Sequence, residues 1–227
     1  MSKTGSKTLI ESAYGRVRQD IISGTLAPES KLRIEELRKQ YTTGASPLRE
    51  ALNRLAGEGF VTAEGQRGFR VAPTSLKDLK EITRLRIMLE CEAIRESIQQ
   101  GDDTWEASIV AAFHRVGKFD ADPNADITEW ELRNHEFHES LISACDSTWL
   151  LKFRHTLYEQ HRRYRLISVL QHDKSRAVND EHKSIMEAVL SRNEKTACEA
   201  TEAHIMRTVK TTESAFAAIM GTADSAA

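Results

Sequence analysis

Four side chains able to hold a metal ion or a polar ligand stand at helical spacing. Asn134 and His138 lie four residues apart, and His182 and His204 fall on two later helical stretches. Residues i and i+4 share one face of a helix, so the amide and the first imidazole can aim at a common centre. Histidines on separate helices of a bundle can converge there too, as the ligands of bundle metal sites do. The competing reading is three ordinary histidines, out of eight in the chain, satisfied in a core or at the surface. The zinc-hydrolase pattern H-E-x-x-H is absent, because His135-Glu136-Phe137-His138 has the wrong spacing. Glu136 and Glu139 leave the Asn134/His138 face, so a metal-dependent enzyme, the rival reading from another class, has no positioned general base.

A second set is cationic and sits near the N-terminus. Residues 1–75 carry 12 Lys and Arg against 8 Asp and Glu, a surplus of 4, while the chain as a whole is at -2, which leaves -6 for the remainder. A basic front on an acidic body suggests that only the front meets a polyanion. Arg49 is the first candidate for a guanine edge in a DNA major groove, where a guanidinium can bond two acceptors at once. Ser46 can donate to a phosphate or a base. Arg38, Arg54, Arg67 and Arg70 are candidates for backbone contacts, and Gly68 allows a tight turn beside Arg67.

The elements that must position these groups are legible in the hydrophobic periodicity. Ile10, Ala13, Val17 and Ile21 trace one face of a helix over about 9–23 that stops at Gly24. Ile34, Leu37 and Tyr41 mark a short second helix, broken at Thr42-Thr43-Gly44. A third begins with Ser46 as N-cap and Pro47 at the first helical position, carries Leu48, Ala51, Leu52 and Leu55 inward, and closes at Gly57 and Gly59. Phe60-Val61-Thr62 and Gly68-Phe69-Arg70-Val71 read as two strands joined by a turn over 64–67. Three helices and a hairpin make a winged helix-turn-helix over residues 1–73.

Beyond Pro73-Thr74-Ser75 the pattern changes to long amphipathic helices over about 76–100, 103–119, 127–144, 147–170, 174–192 and 194–218. The fold class is therefore mainly α: a winged helix-turn-helix followed by an all-α antiparallel bundle over 76–220, with a flexible tail at 221–227. The first eight residues read as loose. At 227 residues with 40% hydrophobic and 29% charged side chains, the chain has ordinary globular composition. The polar N-terminus lacks a secretory h-region and no segment is long and apolar enough for a membrane, which places the protein in the cytoplasm with no membrane partner. Cys91, Cys145 and Cys198 are odd in number, widely spaced and without a C-x-x-C pair, so they read as reduced residues rather than a disulfide framework or thiolate zinc site.

The run Asp20-Ile21-Ile22-Ser23-Gly24-Thr25-Leu26-Ala27-Pro28, then Leu32, Pro47-Leu48-Arg49-Glu50-Ala51-Leu52-Asn53-Arg54-Leu55, Glu58-Gly59-Phe60-Val61 and Arg67-Gly68-Phe69-Arg70-Val71 resembles the GntR family of transcription regulators. Two positions depart from it. Glu29 stands where the family commonly has glycine, and Ala45 where many members have a base-reading arginine. The C-terminal half resembles the FCD ligand-binding domain of the FadR-type subfamily through Leu85-Arg86, Glu90, Glu136-Phe137-His138-Glu139-Ser140-Leu141, Glu181-His182-Lys183-Ser184-Ile185 and Ala203-His204-Ile205. That resemblance implies a divalent ion (Zn, Ni or Mn) on Asn134, His138, His182 and His204. In metal-binding members the position of Asn134 is an aspartate. An amide oxygen brings no negative charge, so the affinity should fall while a bound ion keeps its full charge and favours an anionic ligand.

Arg86, carried over from the same resemblance, would clamp a carboxylate effector, or else pair with Glu90 one turn on. Gln66-Arg67-Gly68-Phe69-Arg70-Val71-Ala72-Pro73 with Ser75-Leu76-Lys77-Asp78-Leu79, Trp149-Leu150-Leu151 and Arg162-Arg163-Tyr164-Arg165 is similar to the carbon-starvation-induced repressor branch, which implies a short dicarboxylate such as glutarate. The function implied is a homodimeric repressor of a double-stranded DNA operator, released by a small organic acid; a regulator answering to the metal ion itself is the alternative.

Overall fold

The computed structural model describes residues 8–120, 126–169 and 178–224. α1 (Leu9–Ile22) starts at a reciprocal cap, in which the Thr8 hydroxyl accepts from the Glu11 N–H and the Glu11 carboxylate from the Thr8 N–H. Then follow β1 (Lys31–Leu32), α2 (Ile34–Tyr41), α3 (Ala45–Gly57), β2 (Val61–Ala63), a single 3-10 turn over Gly65–Arg67 and β3 (Phe69–Val71). The sheet runs β1-β3-β2, both pairs antiparallel, with Lys31 opposite Arg70 and Thr62 opposite Arg70 from the other side. Val17, Leu48, Leu52, Leu55 and Val71 are fully buried and form the core of this region. β1 escaped the sequence pattern because two residues cannot display an alternation.

The structure corrects the reading of Ser46 as an N-cap. Gly44 is the cap, in extended conformation and with no side-chain bond, and the helix already runs at Ala45. Ser46 lies inside the first turn, where its hydroxyl donates to Glu50 Oε1 at 3.4 Å. Pro47 still falls in that turn, where its missing N–H leaves no helical bond unmade.

Glu29 adopts φ 62°, the left-handed region that suits glycine. Its N–H donates to the Val71 carbonyl and its own carbonyl accepts from Arg70, so the strained residue is held at both ends. Gly65 and Gly68, at φ 59° and 97°, make the wing turn, and Gly68 gives its carbonyl to the Glu64 N–H.

The remaining elements are helices: α4 (Leu76–Gln100), α5 (Asp103–Asp120), α6 (Ile127–Leu141), α7 (Thr148–Val169), α8 (Val178–Leu190) and α9 (Glu194–Asp224). Their core is built from Ile94, Trp105, Ile109, Val116, Phe137, Ile185 and Val189, with the Trp105 indole donating to the Ser140 carbonyl at 3.0 Å. α9 runs four residues into the stretch read as a tail. Residues 1–7, 121–125, 170–177 and 225–227, which take in most of the stretch read as loose, the end of the helix expected over 147–170, the start of that over 174–192 and the end of the expected tail, lie outside the described residues.

Compact units do not follow a single cut in the sequence. One unit holds Met1–Leu79 with α7 from Glu159 and α9 from Ala215; the other holds Lys80–Tyr158 and the described chain up to Ser214. α7 joins the first unit through polar contacts on its second half. Glu159 pairs with Arg18 at 2.7 Å, Gln160 donates to the Glu58 carbonyl, Arg163 to the Ala72 carbonyl, and the Tyr164 hydroxyl to Asp78. Burial, together with hydrogen bonding to Asp78, pushes the Tyr164 phenol up.

Candidate metal centre and nucleic-acid interface

In the second unit, α6 supplies Asn134 and His138, α8 supplies His182 and α9 supplies His204. All four are buried. The three imidazoles form a near-equilateral triangle with ring centroids 5.3, 5.1 and 5.0 Å apart, and one ring nitrogen from each lies within 4.8 Å of the others. Zinc–nitrogen bonds of about 2.0–2.1 Å put tetrahedral nitrogens roughly 3.4 Å apart, so small rotations of the rings would close this triangle on an ion. His204 Nδ1 lies 2.8 Å from the half-buried Glu181 carboxylate. A carboxylate there fixes the ring tautomer and leaves Nε2 to carry the lone pair, the arrangement that orients metal-binding histidines. Asn134 sits one turn before His138, and its Nδ2 is buried with no hydrogen-bond partner among the described residues. The donor set therefore fits a divalent cation, with three neutral imidazoles and an amide in place of a carboxylate.

Phe137 packs against His138 and His182, with centroids 5.4 and 4.7 Å away, and Tyr158 stands 6.3 Å from His138. The Tyr158 ring also neighbours two cations. Arg86 and Arg154 hold their guanidinium carbons 4.7 and 4.6 Å from its centroid. Arg154 takes both oxygens of Glu90, at 2.9 and 2.6 Å, and also bonds Glu139. Arg86 lies 3.6 Å from the same Glu90 carboxylate. Burial alone would push Glu90 up, but the Arg154 and Arg86 charges and hydrogen bonds outweigh it and hold the carboxyl below its ordinary range. Of the two partners the sequence left open for Arg86, Glu90 is the one in contact here, but Glu90 is held chiefly by Arg154, which the sequence did not single out. The available signal was Arg154 in the inward stripe of its helix, between Leu151 and Tyr158 at i+3 and i+7 spacing.

In the first unit, Ser46 and Arg49 lie on the exposed face of α3, opposite buried Leu48 and Leu52. Arg49 and Arg67 enter no ion pair among the described residues, and both are exposed. Arg38 is exposed but pairs with Glu35 at 3.0 Å. Arg54 is turned back on the protein, 3.9 Å from the Tyr14 ring centroid and 3.2 Å from Glu58. Arg70 is bound to Glu64 at 2.9 Å. Lys31, not singled out from the sequence, is exposed beside Arg70 on the sheet. Placing it there needs the β1–β3 pairing, which a two-residue strand does not announce.

With this geometry in place, comparison with known proteins gives consistent results. The model of the gntR family of bacterial regulatory proteins matches residues 9–71, and that of the FCD domain matches residues 81–207. The chain is 39% identical over 203 residues to BphR of Paraburkholderia xenovorans, described as an uncharacterized HTH-type transcriptional regulator, covering 88% of this chain and 83% of that one. It is 34% identical over 210 residues to the HTH-type transcriptional repressor GlaR of Escherichia coli, covering 90% and 96%. Among solved structures, E. coli McbR/YncC shares the fold with a TM-score of 0.80 at 15% identity, over 93% of this chain and 100% of that one. A GntR family member from Pseudomonas syringae gives a TM-score of 0.55 at 25% identity, over 94% and 89%. These families and relatives are transcription regulators rather than enzymes. No helix among the described residues is long and apolar enough to cross a membrane.

Proposed function

Because the chain belongs to the GntR family of bacterial transcription regulators and carries that family's FCD domain, we propose that it is a repressor that releases its operator when a small organic acid enters the buried histidine and arginine site. GlaR is named a repressor, which supports the sign of the regulation. The observation that carries the acid is the run of buried groups that leads from the His138/His182/His204 triangle through Tyr158 to the Arg86 and Arg154 guanidiniums. Asn134 Nδ2 adds a buried donor that an acid oxygen would satisfy. A dicarboxylate has one acidic end for the histidine centre and one for Arg86, whose guanidinium would take a carboxylate in two parallel hydrogen bonds in exchange for its contact with Glu90.

His138, His182 and His204, with the Asn134 amide oxygen as a fourth donor, would hold a divalent ion. Imidazoles and an amide suit zinc or nickel above manganese, which favours carboxylates. The ion would supply positive charge that draws a carboxylate into the site. On the DNA side, Arg49 reads base edges, Ser46 and Arg67 hold the phosphate backbone, and Arg38 joins them when its bond to Glu35 opens. A homodimer would set two α3 helices on half-sites about one helical turn apart. Leu85, Met88, Trp149 and Phe153 are large apolar side chains left exposed in a single chain, which favours a second copy over a lone protomer. The acid then acts by preferring a dimer arrangement that cannot reach both half-sites.

The test is fluorescence-anisotropy binding to the DNA upstream of the protein's own gene, at two salt concentrations, with and without zinc and a panel of short dicarboxylates. Salt-sensitive binding that one acid weakens is the expected result. Binding that answers to zinc with no acid present would instead establish the metal ion as the signal. That second reading draws on the Glu181–His204 contact, which already completes the surroundings of one imidazole without any acid. Operator binding indifferent to every acid and to zinc would overturn both.

A further inference from the structure

We propose that Cys91 and Cys198 form a reversible disulfide between α4 and α9 when the protein meets a peroxide. The two helices run antiparallel here: Gln99 bonds Glu194 on one side of the pair, and Lys80 meets Glu213 on the other. Each thiol reaches across to the other residue's backbone, with Cys91 Sγ 3.8 Å from the Cys198 carbonyl oxygen and Cys198 Sγ 3.7 Å from that of Cys91. Side chains that interlock in this way lie between two closely spaced backbones, and rotation about the Cα–Cβ bonds can bring the sulfurs to bonding distance without moving either helix far. Both thiols are buried, yet Arg95, one turn along α4 from Cys91, is half-exposed and paired with Glu92, so the pair lies just beneath the surface.

The two sulfurs differ in chemical character. A hydrogen bond from Cys91, with the Arg95 charge in support, holds the Cys198 thiol below its ordinary range, and the same bond together with burial pushes Cys91 up. In the proposed step Cys198 attacks first. Its sulfur displaces hydroxide from hydrogen peroxide, breaking the O–O bond and giving the sulfenic acid; the hydroxide takes a proton and leaves as water. The Cys91 sulfur then attacks the Cys198 sulfur, the S–O bond breaks, and the oxygen leaves as a second water with the Cys91 proton. Two thiols are oxidised by two electrons, and one peroxide is reduced to two waters. Cys145 takes no part, since it is bonded to Glu96 Oε2 at 3.0 Å, and burial with that bond pushes it up to about 11.

The bridge would adjoin the effector site, because Cys91 follows Glu90 directly and Cys198 precedes His204 on α9. Pinning α4 to α9 would then fix the spacing of Glu90 and His204, a consequence that rests on the effector reading, whereas the disulfide itself does not.

The experiment treats the purified full-length protein with hydrogen peroxide, alkylates the remaining thiols, digests with trypsin without reduction and measures masses. The expected product is Ile87–Arg95 joined to Thr196–Arg207, lighter than the two peptides by two hydrogens and separated by dithiothreitol, with Cys145 recovered alkylated. In Cys91→Ser, dimedone should trap the sulfenic acid on Cys198, and in Cys145→Ser the bridge should form as in the parent protein. Recovery of both peptides alkylated after treatment, or a bridge that joins two chains, would overturn the proposal. An intrachain bridge with unaltered acid response would keep it and remove only the effector consequence.

Discussion

The winged-helix unit and the helical unit solve opposite problems. In the first, the core of Val17, Leu48, Leu52 and Leu55 is apolar, and Arg49 and Arg67, the chief cations offered to DNA, are exposed and enter no ion pair among the described residues. In the second, Arg86, Glu90, Arg154, Asn134 and three histidines are buried alongside the apolar residues. Burying charge costs several kcal/mol per ion unless a partner is in place. The contrast teaches that recognition and stability are separable in the first unit and entangled in the second.

The sharpest way to break that comparison is Arg154→Leu. It leaves the Glu90 carboxylate buried without its bidentate partner, and the expected loss is about 3–5 kcal/mol of folding stability, read by urea denaturation. A variant within about 0.5 kcal/mol of the parent would mean that the buried charges are not coupled as their geometry implies. The pH dependence of the parent probes the same pair. Glu90 is held below its unfolded value of about 4.3, so it contributes stability above that pH and loses it as pH falls through the lower folded value. Urea midpoints should drop over that acidic window, and the drop should shrink in Glu90→Gln.

Arg49→Ala tests the other side. An exposed arginine with no ion pair should leave the urea midpoint within about 0.5 kcal/mol of the parent, while operator binding weakens by about 1–3 kcal/mol. Equal losses in stability and binding would erase the distinction between the units. Arg67→Ala should act more mildly, lowering the slope of log affinity against log salt by about 1 with little change in operator preference. The smallest effect concerns backbone strain: Glu29→Gly removes a left-handed glutamate and should stabilise the first unit by about 1 kcal/mol, read as a higher midpoint.

The family's departure at Glu29 shows how much the chain already disclosed. A glycine position in related sequences implies positive φ, and the structure has φ 62° there despite the side chain. α3 was legible from Leu48, Ala51, Leu52 and Leu55, although its start was misread, because serine before proline resembles a cap whether or not the preceding glycine has already taken that place. Lys31 and Arg154 were not legible for a common reason. Each owes its significance to a neighbour far along the chain, Arg70 for the first and Glu90 for the second.

Periodicity, caps and turn residues act over a few positions, so the sequence alone determined the order of three helices, a hairpin and a long helical array, and it placed Asn134 and His138 on one face. It could nominate His182 and His204 but not bring them together. Convergence of three imidazoles to within 4.8 Å, the choice of Arg154 over Arg86 as the main partner of Glu90, and the meeting of Cys91 with Cys198 were decided by packing. Those contacts join helices separated by tens of residues, and how such helices are docked depends on the whole core rather than on any local run.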